Sequence, residues 1–407
     1  MKILFITTEG FDTPGPNNQM AMVLINDLLN AGFQVHLVQS RRKKINPDIP
    51  PLLENREGFT YDIVERKVID KTRFVNRYFD EASFAFTSYK KWRKVKDADV
   101  VFLQSCPTVF YQMLMLRIFN RNPIVYNIYD VFPGHAYDIG VMKSKFIYDV
   151  FKFIQKFTYK MSSIVTVLSE DMKNKIIEQN VSANKVRIVP AWYDNKAIRE
   201  IPLENNKFIK KYNIPADKFY VQFAGTIGYV FNYRAIIEVA DILKSKDDIV
   251  FQIIGDGNVK QKFVKEAKER NLTNIQFYPL QPIEIVPDVY SACSICIIPL
   301  NKGVIGNGVP SKAPLLMACR RVIVNSVESD SEYFRMFNEN EIGISVSNDD
   351  HEALAEAILK LYCHTERISE MADKAKKFGE TNYTSIKSTT EFIKILVDVS
   401  KKTKNKE

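Results

Sequence analysis

Short apolar runs and longer amphipathic stretches take turns along this chain. In the first half the runs are KILFIT, QVHLVQ, DVVFLQ, PIVYNIYD and SIVTVLS. They are rich in Val and Ile and show little of the alternation of a half-exposed strand, so they read as strands covered on both faces. Helical spacing fills the gaps, as in NNQMAMVLINDLLNAG (17–32) and SKFIYDVFKFIQKFTYKM (144–161). After VRIVPAWYD (186–194) a polar, charged stretch over about 195–215 reads as a linker or a loose helix. A second set of runs follows: YVQFAGT, IVFQIIGDG, IQFYPL, SICIIPL, RVIVNS and IGISVS.

Strands of this kind alternating with helices build parallel sheets with helices on both faces. Two sets predict an α/β fold of two Rossmann-like domains facing across a cleft. The domains are residues 1–195 and 196–382, and 383–407 is a last amphipathic helix that crosses back to the first domain, plus a charged tail. Ligands in such sheets bind outside the carboxyl ends of the strands, which makes the cleft the default site.

Charge changes this picture on one side only. The chain of 407 residues has a formal net charge of +9. Residues 1–200 hold 29 Lys and Arg against 21 Asp and Glu, while the rest is nearly balanced. Such asymmetry suits an acidic substrate, an anionic membrane surface or a nucleic acid. The stretch 71–96 mixes Arg77, Lys90, Lys91, Arg93, Lys94 and Lys96 with seven aromatic residues from Phe74 to Trp92. That mixture suits the headgroup layer of an anionic membrane, or a helix with an aromatic core face and a solvated basic face. RRKK (41–44) adds to the basic surplus, and no nucleic-acid-binding signature accompanies it, so nucleic acid is not expected as a partner. Five unevenly spaced cysteines point to reduced thiols in a cytosolic compartment, and CSIC (293–296) reads as strand and not as a metal site. The first apolar run is too short for a signal peptide, and none approaches the roughly 20 apolar residues of a membrane span.

Candidate chemistry gathers at strand ends. FAGTIGYVFNYRAI (223–236) places Gly225 and Gly228 between a strand and a helix, and IIGDGN (253–258) does the same with Gly255 and Gly257. Glycines there let backbone amides approach a phosphate. GNGVPSKAPLLMACRRVIVNS (306–326) reads as loop, short helix and buried strand, with Ser311 as a good N-cap and Lys312 in the first turn. A helix start beside a lysine attracts an anion. No full dinucleotide fingerprint follows the first strand, so a nicotinamide or flavin cofactor is not expected.

These segments, with NIQFYPLQPIEIVPDVYSACSICIIPL (274–300), resemble the donor-binding half of glycosyltransferase family 4, whose two-domain fold is called GT-B. IVTVLSEDMKNKIIEQNVSANKVRIVPAWYD (164–194) resembles its interdomain passage, and YNIYDVFPGHA (126–136) the acceptor half of bacterial surface-polysaccharide members. The resemblance implies a hexosyltransferase-like enzyme that needs no metal or other cofactor and takes a nucleotide-sugar, UDP-linked and N-acetylated or deoxy, as donor. The donor would meet Gly225, Thr226, Gly228, Gly255, Asp256, Leu280, Asn307, Gly308, Val309, Pro310, Ser311 and Lys312. Lys312 would stabilise the leaving diphosphate. The acceptor would meet Glu9, Asn17, Asp130 and His135, with Asp130 and His135 also serving catalysis. The acceptor would be a lipid-diphosphate-linked glycan of lipopolysaccharide O-antigen or capsule, handled at the inner face of the cytoplasmic membrane. Two glutamates that many members carry eight positions apart are Asn307 and Leu315 here, and their Gly-Lys is Arg320–Arg321. A nucleotide-sugar epimerase of the same fold and a non-catalytic nucleotide-sugar-binding protein are the alternatives.

Overall fold

A computed structural model describes residues 1–12, 15–42, 48–68, 74–95, 97–104, 109–193 and 197–404. Cys106, Lys43, Lys44, residues 71–73, Lys96 and the side chains of Phe74 and Arg77 lie outside the described residues. The chain divides into two compact units. One comprises Met1–Ala191, Gly306–Gly308 and Ser385–Glu407; the other comprises Trp192–Ile305 and Val309–Thr384.

The first unit holds seven parallel strands: β1 (Lys2–Thr7), β2 (Gln34–Arg41), β3 (Phe59–Glu65), β4 (Val100–Gln104), β5 (Ile124–Asn127), β6 (Ile164–Val167) and β7 (Val186–Ile188). Their order is β3-β2-β1-β4-β5-β6-β7, so the direction of winding reverses between β1 and β4. Ile3 is in register with both Val35 and Val100. Ile3, Leu4, Phe5 and Ile6 are fully buried, and Phe5 stacks on Phe102 with centroids 4.6 Å apart. Helices α1 (Pro16–Asn30), α2 (Phe74–Trp92), α3 (Phe110–Phe119), α4 (Gly134–Asp138), α5 (Lys145–Met161) and α6 (Glu170–Ile177) connect the strands. Serine side chains cap α5 and α6, Ser144 accepting from the Ile147 amide and Ser169 from the Met172 amide.

The three-residue edge strand β7 is an addition to the sequence reading, and so is β3. Its segment FTYDIVE lies on the sheet edge and is mostly exposed or half-buried, so it carries no continuous apolar run.

The second unit holds six parallel strands: β8 (Phe219–Ala224), β9 (Ile249–Ile254), β10 (Ile275–Tyr278), β11 (Ile295–Pro299), β12 (Ile323–Val327) and β13 (Gly343–Ser347). The order β10-β9-β8-β11-β12-β13 reverses between β8 and β11. Its helices are α7 (Lys207–Tyr212), α8 (Tyr233–Ile242), α9 (Lys260–Glu269), α10 (Val286–Ser291), α11 (Lys312–Ala318), α12 (Glu332–Glu339), α13 (His351–Cys363) and α14 (Thr365–Asn382). A single core joins β8, β9 and β11 to α8 and α13 through Val221, Phe223, Ile237, Phe251, Ile297 and Ile358.

The polar stretch read as a linker or loose helix is in part a docked element. Asn206 caps α7 and also donates to the Asp288 carbonyl at 2.7 Å, and the Lys207 amide donates to the Asp288 carboxylate at 2.7 Å. Phe208 is fully buried beneath them. One phenylalanine among lysines and asparagines is enough to anchor the helix, and composition hides it.

The last helix, α15 (Ser385–Lys404), belongs to the first unit, as expected of a segment crossing back. Phe392 meets Phe102 edge-on at 5.4 Å, and Thr389 Oγ1 donates to Asp27 Oδ2 at 2.8 Å. Helix α14 packs on α11, where a Cβ on Gly379 would lie 3.0 Å from Met317 Cβ.

Candidate active site

In the second unit the loops after β8 and β9 are stitched together. The Gly225 amide donates to the Ile254 carbonyl at 2.9 Å, Ile227 to Asp256 at 2.9 Å and Gly255 to Tyr278 at 3.2 Å. Glycine is required where the loops touch. A Cβ on Gly255, at φ +146°, would lie 1.9 Å from the Gly225 carbonyl oxygen. These bonds divide the amides expected to meet a diphosphate. Those of Gly225 and Ile227 are already used, whereas those of Thr226 and Gly228 have no protein acceptor among the described residues. Asp256 is also occupied, its Oδ1 accepting from the Gly257 amide at 2.8 Å.

Across the point where the sheet reverses, the chain leaves β11 and enters α11. Lys312 is the first residue of that helix, half-buried, and its Nζ stands 3.6 Å from the centroid of the Phe223 ring. A Cβ on Gly225 would lie 2.8 Å from the same Nζ, so the glycine makes room for the ammonium. Burial pulls the Lys312 pKa down to about 7, a fall that nearby Cys296 opposes. The amides of Ser311 and Lys312 also lack protein acceptors among the described residues.

Ser311 corrects the sequence reading. It stands at the N-cap position, but at φ −60° and ψ −15° its backbone is helical and its side chain caps nothing. A capping hydroxyl needs the extended backbone seen at Ser144. Pro310 stands in the loop just before, and its carbonyl accepts from the Ala313 amide at 3.1 Å. Val309 and Pro310 are half-buried, and Leu280 is exposed in the loop after β10.

A residue that sequence reasoning missed supports this loop. Glu328, just past β12, is largely buried and accepts from the Gly303 amide at 2.5 Å. Burial raises its pKa, and hydrogen bonds from the amides of Gly303, Val304 and Ile305 partly offset the rise. An acid directly after the apolar run RVIVNSV is the signal that could have found it.

In the first unit the expected acceptor residues stand beyond the carboxyl ends of β1 and β5. The Glu9 backbone carbonyl accepts from Thr7 Oγ1 at 3.0 Å. Burial, with the Glu9 charge adding, raises the pKa of Tyr129, the residue before Asp130. His135 lies in α4, and its Nδ1 is buried with no hydrogen-bond partner among the described residues. Asn17 is half-buried in the first turn of α1, while its neighbour Asn18 is the buried one and donates to the Gly10 carbonyl at 2.8 Å.

Asn307 and Gly308, expected to meet the donor sugar, pack with this unit. Asn307 is buried, its Nδ2 donates to Asp138 Oδ2 at 2.6 Å, and its carbonyl accepts from the Val131 amide at 2.7 Å. Gly308 leaves space for Asp130, whose Oδ1 lies 3.0 Å from where a Cβ would be. Asn307 therefore braces the segment that carries Asp130 and His135. Among the described residues, no group of three or more His, Cys, Asp or Glu side chains is placed to hold a metal ion.

Two family models match in succession: Glycosyltransferase Family 4 over residues 18–196 and Glycosyl transferases group 1 over residues 204–378. The chain is 26% identical over 328 residues to "Probable glycosyltransferase WbjE" of Pseudomonas aeruginosa, covering 79% of this chain and 80% of that one. It is 27% identical over 169 residues, 41% of each chain, to "Putative colanic acid biosynthesis glycosyl transferase WcaI" of Escherichia coli K12. The structure of Anabaena HepE in complex with UDP superposes with a TM-score of 0.74 at 13% identity, covering 98% of this chain and all 100% of that one. WaaG, a glycosyltransferase involved in lipopolysaccharide biosynthesis, superposes at 0.67 with 14% identity, covering 96% and 98%.

Proposed function

The chain belongs to the group 1, family 4 glycosyltransferases of GT-B fold, and from that premise we propose that it moves a sugar from a UDP-linked donor to a lipid-linked glycan, with retention of anomeric configuration. The observation that carries the reading is Lys312. A half-buried ammonium faces an aromatic ring at a sheet's switch point, in the same strand-end loops as the amides of Thr226, Gly228, Ser311 and Lys312, which lack protein acceptors among the described residues. A diphosphate supplies the negative charge that this group of donors lacks. As the bond from the anomeric carbon to the phosphate oxygen breaks, charge grows on that oxygen, and prearranged donors lower the barrier. The acceptor hydroxyl attacks on the face the phosphate leaves, and its proton passes to the departing phosphate oxygen. UDP and the new glycoside are the products.

The first unit holds the acceptor. His135, whose buried Nδ1 has no hydrogen-bond partner among the described residues, and Asp130 orient the hydroxyl, with Glu9 beyond β1 and Asn17 in the first turn of α1. The bound UDP and UDP-glucose of HepE support a uridine donor, and the names of WcaI and WaaG support a surface-polysaccharide product. The basic surplus of residues 1–200 suits an enzyme working on the inner face of the cytoplasmic membrane.

A panel of UDP- and GDP-sugars, incubated with and without lipid-linked acceptor, tests this. Acceptor-dependent UDP release is expected. Epimerised sugar without acceptor, or binding with no turnover, would overturn it.

A further inference from the structure

Helix α5 buries Tyr159 and packs Phe151 on Phe132, yet it also leaves a second apolar face exposed. Phe146, Val150, Phe153 and Phe157 recur at the spacing of one helix face. They are 77%, 41%, 63% and 44% exposed. The opposite face carries Gln155 and Thr158, which are 3% and 0% exposed. Their polar atoms are satisfied inside: Gln155 Nε2 donates to the Tyr126 hydroxyl at 3.3 Å and Thr158 Oγ1 to the Ile154 carbonyl at 3.2 Å. Burying a phenylalanine is favourable, yet this helix leaves a row of three largely in solvent.

Basic residues border the row. Lys145, Lys152, Lys156 and Lys160 share the adjoining strip of α5, and Asp149 is its sole acid. The aromatic surface continues onto α2, where Tyr78 meets Phe151 of α5 at 5.1 Å and Phe79 and Phe86 are exposed. The α2 part of this surface lies within the stretch 71–96 that the sequence singles out, whereas α5 lies outside it, and no described helix is long and apolar enough to cross a bilayer.

We propose that α5 is a membrane-docking helix. It lies in the headgroup region of an anionic bilayer, with its phenylalanine row among the upper acyl chains and its lysines on lipid phosphates. Charge complementarity selects this occupant. A protein groove would cover the apolar row without needing four flanking ammonium groups, whereas an anionic bilayer meets both. The inference deepens the proposed function by giving the enzyme the surface on which a lipid-linked acceptor resides.

The test is co-sedimentation of the full chain with vesicles of phosphatidylcholine mixed with phosphatidylglycerol, and with vesicles of phosphatidylcholine alone. The wild type is expected to bind the anionic vesicles and to leave the neutral ones. Phe146→Ser with Phe153→Ser, and separately Lys152→Glu with Lys156→Glu, are expected to cut binding at least about tenfold. All positions are on the outer face, so circular dichroism and UDP affinity are expected to match the wild type. Equal sedimentation of the variants and wild type, or no binding by the wild type, would overturn the proposal. So would a wild-type dimer that the phenylalanine changes split without altering vesicle binding. Failure of the donor reading is separable, since it appears as wild-type protein that binds no UDP-sugar whatever its vesicle binding.

Discussion

The two units use one architecture and finish it in opposite ways. In the second unit α8 turns Ala235, Ile236, Ile237, Val239 and Ala240 inward against the sheet, and its chemistry sits at strand ends. In the first unit α5 turns Gln155, Thr158 and Tyr159 inward and Phe146, Phe153 and Phe157 outward. Both have the reversed parallel order that opens a crevice at the switch point. What differs is where each carries uncompensated free energy. The second unit holds a half-buried cation at Lys312, and the first holds apolar surface left in water on α5. A sheet topology thus places a site, while the side chains at the strand ends and on the helix backs decide what it binds.

Breaking the second unit's core gives the largest expected effect. Phe208→Ala removes the anchor of α7 and is expected to cost about 3–5 kcal/mol of that unit's stability. Denaturant unfolding measures it; a loss below about 1 kcal/mol would return the segment to the status of a linker.

Lys312→Ala comes next. Loss of a prearranged donor to a growing oxyanion is expected to lower kcat about 10²–10³-fold. Steady-state kinetics with saturating acceptor reads this, with the α5 surface variants as controls that keep donor affinity.

The pH dependence sharpens the same contrast. Lys312 titrates near 7 in the free protein, so it is charged below that pH and neutral above. A bound diphosphate favours the charged form, so UDP affinity is expected to fall as pH rises above 7, approaching tenfold per unit. Calorimetry over pH 6 to 9 follows it (about three units, the span over which a tenfold-per-unit slope is resolved). Lys312→Ala is expected to flatten the slope; an unchanged slope would remove Lys312 from diphosphate binding.

The smallest effect expected is that of Glu328→Gln. The amide side chain keeps the volume but weakens the charge-assisted bonds to the loop at Gly303–Ile305. Donor KM is expected to rise about three- to tenfold, about 1 kcal/mol, with little change in kcat, a split that kinetics on the purified variant resolves.

Much of the frame was legible in the order of residues. Continuous Val- and Ile-rich runs are buried on both faces by necessity, so eleven of the strands announce themselves, whereas β3 and β7 lie at the two edges of the first sheet and do not. Gly225, Gly255 and Lys312 were legible because glycines and a lysine recur after strands. Which amides stay free was not, because that depends on the bonds between two loops about thirty residues apart in the chain.

The sequence by itself determined the two parallel sheets, the returning helix and the glycines and lysine at the second sheet's strand ends. Local periodicity and the steric freedom of glycine act over a few residues and need no tertiary partner. Only the tertiary structure decided that Ser311 caps nothing, that Asn307 braces the segment carrying Asp130 and His135, that Glu328 holds a loop and that the phenylalanine row of α5 faces outward. Each depends on groups brought together from distant positions, and an amphipathic pattern states that a helix has two faces without stating which one the fold covers.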